Sequence, residues 1–177
     1  MKYIINLIEK WRIAAVLKLL NGKTLDIGCQ HNHLIRNYGN GVGVDIYPWA
    51  GIDVLIEDSS KLPFEDQSFD TVTIVAALNH IPNRDACIKE VHRVLKSDGA
   101  LIITMITPTI SKIWHKVVYR WDEDQHERGM IDGEVWGFTK KDLVELLVKN
   151  KFTVESIKPF MLGVNTIYIF KKSCCVV

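Results

Sequence analysis

Three short runs hold the residues whose types and spacing could do chemistry. They are Leu25-Asp26-Ile27-Gly28-Cys29, Gly41-Val42-Gly43-Val44-Asp45 and Leu62-Pro63-Phe64-Glu65-Asp66-Gln67-Ser68-Phe69-Asp70. In the first, an apolar stretch ends on an acid and a glycine, as when a buried strand hands over to a turn whose backbone can approach a ligand. In the second, Asp45 closes another apolar stretch 17 residues after Gly28, placed to accept hydrogen bonds from ribose hydroxyls. The third contains a turn at Pro63 and opens a strand at Asp70. In this order the runs describe a nucleotide-type ligand at the carboxyl ends of adjacent parallel strands.

Elements that could position these residues follow from the hydrophobic pattern. We read helix 3–20, strand 24–28, helix 32–38, strand 41–45, strand 53–56, strand 70–75, helix 83–95 and strand 99–105. A lid over 106–138 follows, then helix 140–149, strand 152–159 and strand 165–171. Alternating strands and helices imply right-handed crossovers and a parallel sheet, although the crossover 46–52 is too short for a full helix. The last two strands are joined by Phe160 to Asn165, too few residues for a crossover helix, and so form a hairpin. Thr139-Lys140-Lys141-Asp142 reads as a capping box that starts the helix before it. The expected fold is α/β: a single Rossmann-like domain over residues 1–177, with a mostly parallel seven-stranded sheet, a C-terminal antiparallel hairpin and helices on both faces.

The ordered runs resemble the class I S-adenosylmethionine-dependent methyltransferases, in the small-molecule group (methyltransferase type 11) that includes quinone-biosynthesis enzymes. The resemblance extends from about Thr24 to about Thr104. Its specific part is the Leu-Pro-Phe-x-Asp-x-Ser-Phe-Asp pattern of residues 62–70, which nicotinamide-binding Rossmann domains do not carry. It implies S-adenosyl-L-methionine as cofactor, with Asp26, Gly28, Cys29, Gln30, Asp45, Ile46, Asp58, Ser59, Ala76 and Ala77 around it. Asp26 would orient the loop at the methionine end, Asp45 would hold the ribose, and Asp58 would meet the adenine amino group unless it is a simple turn acid.

The chain departs from the family in that loop. The usual glycine-x-glycine-x-glycine is here Gly28-Cys29-Gln30-His31-Asn32-His33, with two glycines replaced. Asparagine enters left-handed conformations more readily than other non-glycine residues, so Asn32 is tolerable. Gln30 requires that its β-carbon point away from the ligand or that the pocket differ. His31 and His33 make a poor metal site, two residues apart with no third ligand near, and no metal is expected.

Methyl transfer is an in-line displacement at a sulfonium carbon, for which the protein mainly aligns the reactants and excludes water. A general base is needed only when the acceptor must lose a proton; His80, His126 and His115 are the candidates. His80 either touches cofactor or substrate or braces its turn through a ring nitrogen. The segment Asn79-His80-Ile81-Pro82 lacks the asparagine-proline-proline-aromatic run of amino-group methyltransferases acting on nucleic acids. Residues 106–138 hold Trp114, Tyr119, Trp121, Met130, Trp136 and Phe138, with acids at Asp122, Glu123, Asp124 and Glu127. They suit either a packed cover over the sheet or a site for a small, partly apolar acceptor.

Composition bounds the partners. A chain of 177 residues with 47% apolar content can fill one core and is short for two. A net charge of +1 supplies no field for nucleic acid or an anionic membrane. The apolar stripe of Ile4, Leu7, Ile8, Trp11, Ala15 and Leu19 is interrupted by Glu9, Lys10, Arg12 and Lys18. This suits a helix that packs on the sheet edge and partly covers the cofactor, rather than a membrane span. Stable membrane insertion is not expected, a homodimer is compatible with the reading, and four cysteines without metal spacing suit a reduced cytoplasm. Cys174-Cys175-Val176-Val177 has the shape of a prenylation signal but reads more simply as a hydrophobic tail. Two rival readings remain: a degenerate methyltransferase fold that binds without turnover, and a nicotinamide oxidoreductase.

Overall fold

The computed structural model describes residues 2–118 and 132–173. Seven strands form one sheet: β1 (Thr24–Ile27), β2 (Gly41–Asp45), β3 (Val54–Leu55), β4 (Phe69–Val75), β5 (Leu95–Ile106), β6 (Phe152–Phe160) and β7 (Asn165–Lys172). Their order is β3-β2-β1-β4-β5-β7-β6. The first five run parallel, while β7 is antiparallel to both β5 and β6. This is the expected sheet with its C-terminal hairpin. The order reverses at β1 and β4, and the crevice outside the carboxyl ends of those strands is where such sheets bind ligands.

All four residues of β1 are buried, as expected of a central parallel strand covered on both faces. On one face, α3 (Arg84–Val94) contributes Cys87, Ile88, Val91 and Val94, and α5 (Lys140–Lys149) contributes Leu143 and Leu147. On the other, Val16 of α1 (Lys2–Leu17) and Leu34 of α2 (His33–Tyr38) pack with Ile102, Ile167 and Ile169. Helix α5 starts as its sequence requires: the Asp142 N–H donates to Thr139 Oγ1 at 3.2 Å, and that hydroxyl lies 2.7 Å from Asp142 Oδ2.

Several boundaries differ from those read in the sequence. Helix α1 stops at Leu17 rather than 20, and β3 has only two residues instead of 53–56. Strand β5 begins at Leu95, not 99, because the chain passes directly from α3 into extended backbone and Leu95 pairs with Phe69. Residues 96–98, left between the expected helix and strand, are taken into β5, with a register shift between Phe69 and Thr71. The segment expected to form a lid begins with a helix, α4 (Pro108–Val118), and a 3₁₀ turn covers Leu78–His80. Residues 119–131, and with them Tyr119, Trp121, Asp122, Glu123, Asp124, His126, Glu127 and Met130, lie outside the described residues. So do Cys174-Cys175-Val176-Val177 and the side chains of Trp114 and His115.

Candidate functional site at the strand ends

A cavity of about 1010 Å³ opens at the carboxyl ends of β1, β2 and β4. Drug-sized pockets commonly span roughly 300–1,000 Å³, so this one has room for a nucleoside-sized molecule and a second small reactant. Gly28, Gln30, Asp45, Ile46, Asp58, Ser59, Ala76 and Ala77 all line it, and so does His80. Asp26 and Cys29 do not; they sit beneath the loop.

The loop after β1 shows how two glycines can be replaced without losing the backbone path. Gly28 has φ 72°, and a β-carbon there would lie 2.5 Å from that of Ala77. Gln30 and Asn32, where the family has glycine, keep positive φ values of 47° and 58°. Such conformations are uncommon for residues with a β-carbon, and specific hydrogen bonds hold them. The Gln30 N–H donates to Asp45 Oδ2 at 2.9 Å. Asn32 Nδ2 donates to Asp53 Oδ2 at 2.8 Å and to the Gly51 carbonyl at 3.1 Å. Asp53 Oδ2 also accepts from the Gly43 N–H at 2.7 Å, so one carboxylate ties the loop to β2. Gly43 is required there because the Asn32 side chain fills the space its β-carbon would need.

Asp45 is buried at the end of β2, its Oδ2 on Gln30 and its Oδ1 accepting from the Tyr47 N–H at 3.0 Å. These bonds orient the carboxylate at the cavity wall. Below it, Asp26 is 3% exposed and accepts from Thr73 Oγ1 at 2.6 Å. Burial, opposed by that hydrogen bond and reinforced by the negative charge of Asp45, pushes the Asp26 carboxyl up to about 7. Burial likewise pushes the Cys29 thiol up, with Asp26, Asp45 and Asp53 adding to the shift. Cys29 is therefore held as a neutral thiol, and its side chain points toward Gly43 rather than into the cavity.

Helix α3 holds the 62–70 run in place. Glu90 accepts the Leu62 N–H at 3.0 Å, while Arg93 donates to the carbonyls of Leu62 and Phe64 and to Asp66. Asp58 accepts from the hydroxyl and the N–H of Ser60, and these bonds hold its carboxyl below the usual range. Asp58 is thus both a turn acid and a cavity-lining carboxylate.

After β4, Ala76 adopts φ 55° with its N–H on the Thr104 carbonyl. A left-handed alanine is a strained position of the kind that clusters at functional sites. His80 both braces and lines: its Nδ1 is 3.2 Å from Glu134 Oε2, whose side chain is fully buried. The segment after the undescribed residues is fastened to this turn. The Val135 N–H donates to the Asn79 carbonyl, Arg84 donates to the Gly133 carbonyl, and Arg84 lies over the Phe138 ring. The loop histidines face other partners. His33 Nδ1 is 2.8 Å from Glu9 of α1, and His31 packs edge-on to Trp49.

Reasoning from sequence did not single out Glu134, Asp53 or Ile5. The stripe read on α1 includes Ile8, which lines the cavity with Ile5, Glu9 and Arg12, but its Ile4, Leu7 and Trp11 are exposed.

The comparisons with known proteins agree with this geometry. A methyltransferase-domain family model matches residues 25–103. The ubiquinone/menaquinone biosynthesis C-methyltransferase UbiE of Xanthomonas campestris is 37% identical over 70 residues, covering 40% of this chain and 27% of that protein. The demethylmenaquinone methyltransferase of Thermotoga maritima is 27% identical over 131 residues, covering 66% of this chain and 57% of that one. The chain thus spans from about a quarter to somewhat over half the length of these two relatives. A crystal structure of an S-adenosylmethionine-dependent methyltransferase from Thermotoga maritima superposes with a TM-score of 0.67 at 18% identity, over 97% of this chain and 98% of that one. Among the described residues no helix is long and apolar enough to cross a membrane. The sheet order, the family model over residues 25–103 and these relatives agree that the chain resembles the class I S-adenosylmethionine-dependent methyltransferases.

Proposed function

We propose that this protein transfers a methyl group from S-adenosyl-L-methionine to a small, partly apolar acceptor. The observation that carries the reading is the Gln30–Asp45 contact. The left-handed backbone that glycine would supply is retained at Gln30, and its N–H fixes the Asp45 carboxylate at the cavity wall. The residues therefore fit the cofactor despite the altered loop. Asp45 would accept from ribose hydroxyls, Asp58 with Ser59 would face the base, and Gly28 would lie beside the ligand where Ala77 already approaches it closely. Ile46 and Ala77 give apolar contact.

When bound, the cofactor supplies an already activated methyl group, so the protein's part is alignment and exclusion of water. Ile110, Met105, Met161 and Val164 line the rest of the cavity and suit an acceptor with an apolar body. His80, with Nδ1 directed to Glu134, lines the cavity and is the side chain we assign to take a proton from an acceptor hydroxyl. The acceptor lies in the same cavity, beneath the segment 132–138 and α4.

The test is calorimetric titration with S-adenosylhomocysteine, followed by a methyl-transfer screen with phenols, acids and amines. Asp45→Ala should weaken binding by about 1.5–3 kcal/mol, the value of hydrogen bonds to a charged acceptor. Unchanged affinity in a folded variant removes Asp45 from the site. Tight binding with no transfer to any acceptor would instead favour the degenerate, binding-only reading.

A further inference from the structure

Apolar surface and positive charge are both concentrated around the mouth of the cavity. Among the described residues ten large apolar side chains are exposed, and six of them, Tyr3, Ile4, Leu7, Trp11, Leu162 and Val164, lie on α1 and the β6–β7 turn. Ile4, Leu7 and Trp11 follow one another at helical spacing and so share one face, while Val16 of the same helix is buried against β5 and β7. Leu162 is 98% exposed, although its neighbours Met161 and Val164 line the cavity, as do Ile5 and Ile8 of α1. Single exposed apolar residues are ordinary, but a set gathered around one opening marks an interaction site. The charge is uneven in the same way. Helices α1 and α4 together carry +4, from Lys2, Lys10, Arg12, Lys112 and Lys116 against Glu9, on a chain whose total is +1, so the remainder is net negative. Lys10, Lys112 and Lys116 are exposed.

We propose that this rim, the exposed face of α1 with the β6–β7 turn and the lysines of α4, docks the protein on the surface of a bilayer that contains anionic lipid. An interfacial helix presents aromatic and aliphatic residues beside lysines, and Trp and Tyr favour the level of the lipid headgroups. Helix α1 is too short and too charged to span a membrane, so it rests in the plane of the surface. Attraction between a lysine and an anionic surface falls off within a Debye length. A local excess of positive charge therefore suffices where the total charge of the chain does not. A second copy of this chain fits less well, because two rims of the same sign would face each other. Ile5 and Ile8 of α1, Ile110 of α4, and Met161 and Val164 of the turn all line the one cavity. An apolar acceptor dissolved in the bilayer would reach it without crossing water. That consequence rests on the methyl-transfer reading; the docking does not.

The experiment is co-sedimentation of the full chain with vesicles of phosphatidylcholine, alone or with about one-third phosphatidylglycerol, at low and at high salt. Wild type is expected to bind the anionic vesicles about tenfold more tightly than the neutral ones, and high salt should remove the difference. Leu162→Gln alters a side chain that lies almost wholly in solvent, which leaves the fold intact, and should weaken binding by about threefold or more. Leu7→Gln combined with Trp11→Gln should weaken it by about tenfold or more. Lys112→Glu combined with Lys116→Glu should abolish the preference for anionic vesicles. Val148→Gln is the control, an exposed apolar residue of α5 on the opposite face of the sheet, and should bind as wild type does. Absence of binding by wild type to anionic vesicles overturns the proposal. So does equal binding by wild type, Leu162→Gln and the double variant of Leu7 and Trp11, or an equal loss in Val148→Gln and Leu162→Gln. A wild-type dimer that the double variant converts to monomer, with no vesicle binding, assigns the face to a second copy and overturns the proposal as well. Titration with S-adenosylhomocysteine is independent of these readouts: its failure removes the acceptor route, while vesicle binding still decides the docking.

Discussion

The cavity wall formed by the strand ends and the wall formed by α1, α4 and the β6–β7 turn are built from different materials. The first consists of backbone held in unusual conformations: Gly28, Gln30 and Ala76 all have positive φ, and Asp45 and Asp53 pin the turns between them. The second consists of side chains on helices and a turn, mostly apolar, with Ile5, Ile8, Ile110, Met161 and Val164 presented to the space. A wall made of backbone can keep its shape while side chains change, provided the φ values and their hydrogen bonds survive. Two of the loop's three glycines have been replaced in this way. A wall made of side chains changes its chemistry with every substitution, which is how acceptor choice can vary over a constant cofactor site.

The largest test of the strand-end wall is its pH response. The Asp26 carboxyl is pushed up to about 7 by burial, against an ordinary value of 3.8. Between those values the folded protein keeps a proton that the unfolded chain has released, so stability should decline as pH rises from about 4 to about 7. By linkage the decline is on the order of 4 kcal/mol. Urea unfolding across that range measures it, and Asp26→Asn should flatten the curve. A stability that rises steadily from pH 4 to 7 in wild type, with no change of slope in the variant, would contradict the buried protonated carboxyl.

Next comes Gly28→Ala. Its β-carbon would sit against Ala77, in a backbone conformation alanine seldom takes. Left-handed strain and overpacking together should remove about 2–4 kcal/mol of stability. Denaturant midpoints would show this, and a loss below about 0.5 kcal/mol would mean the loop relaxes freely and the wall is not rigid.

The smallest effect, and the sharpest for the comparison, is Gln30→Gly. Relief of the left-handed conformation should stabilise the fold by up to about 1 kcal/mol, and affinity for S-adenosylhomocysteine should hold or improve slightly. A loss of about 0.5–1.5 kcal/mol in affinity would reveal a ligand contact from the Gln30 amide and turn this wall, too, into one that depends on side chains.

The contrast also explains what the sequence made legible. The alternation of strands and helices, the terminal hairpin and the lining positions of residues 28–77 are encoded locally, by apolar runs that end on Asp, Gly or Ser. Gln30 looked like a break because residue type was read as a proxy for φ, and the Asp45 carboxylate that sustains the left-handed turn is 15 residues away. Asp53 was missed for the same reason, since its partners lie on the loop and on β2. Arg12 at the cavity wall and Glu134 behind His80 are brought to the site by tertiary contacts that leave no local pattern. The early end of α1 and the early start of β5 were decided by packing and pairing rather than by propensity.

The central claim is that one cofactor binds the strand-end wall with the loop in its present shape. Hydrogen exchange of wild type with and without S-adenosylhomocysteine, and separately with NADH, tests it most directly. Protection is expected in residues 28–33, 45–47 and 58–60 and in the turn 76–80, with no response to NADH. No protection in these four segments at saturating S-adenosylhomocysteine, or equal protection by NADH, would contradict the account.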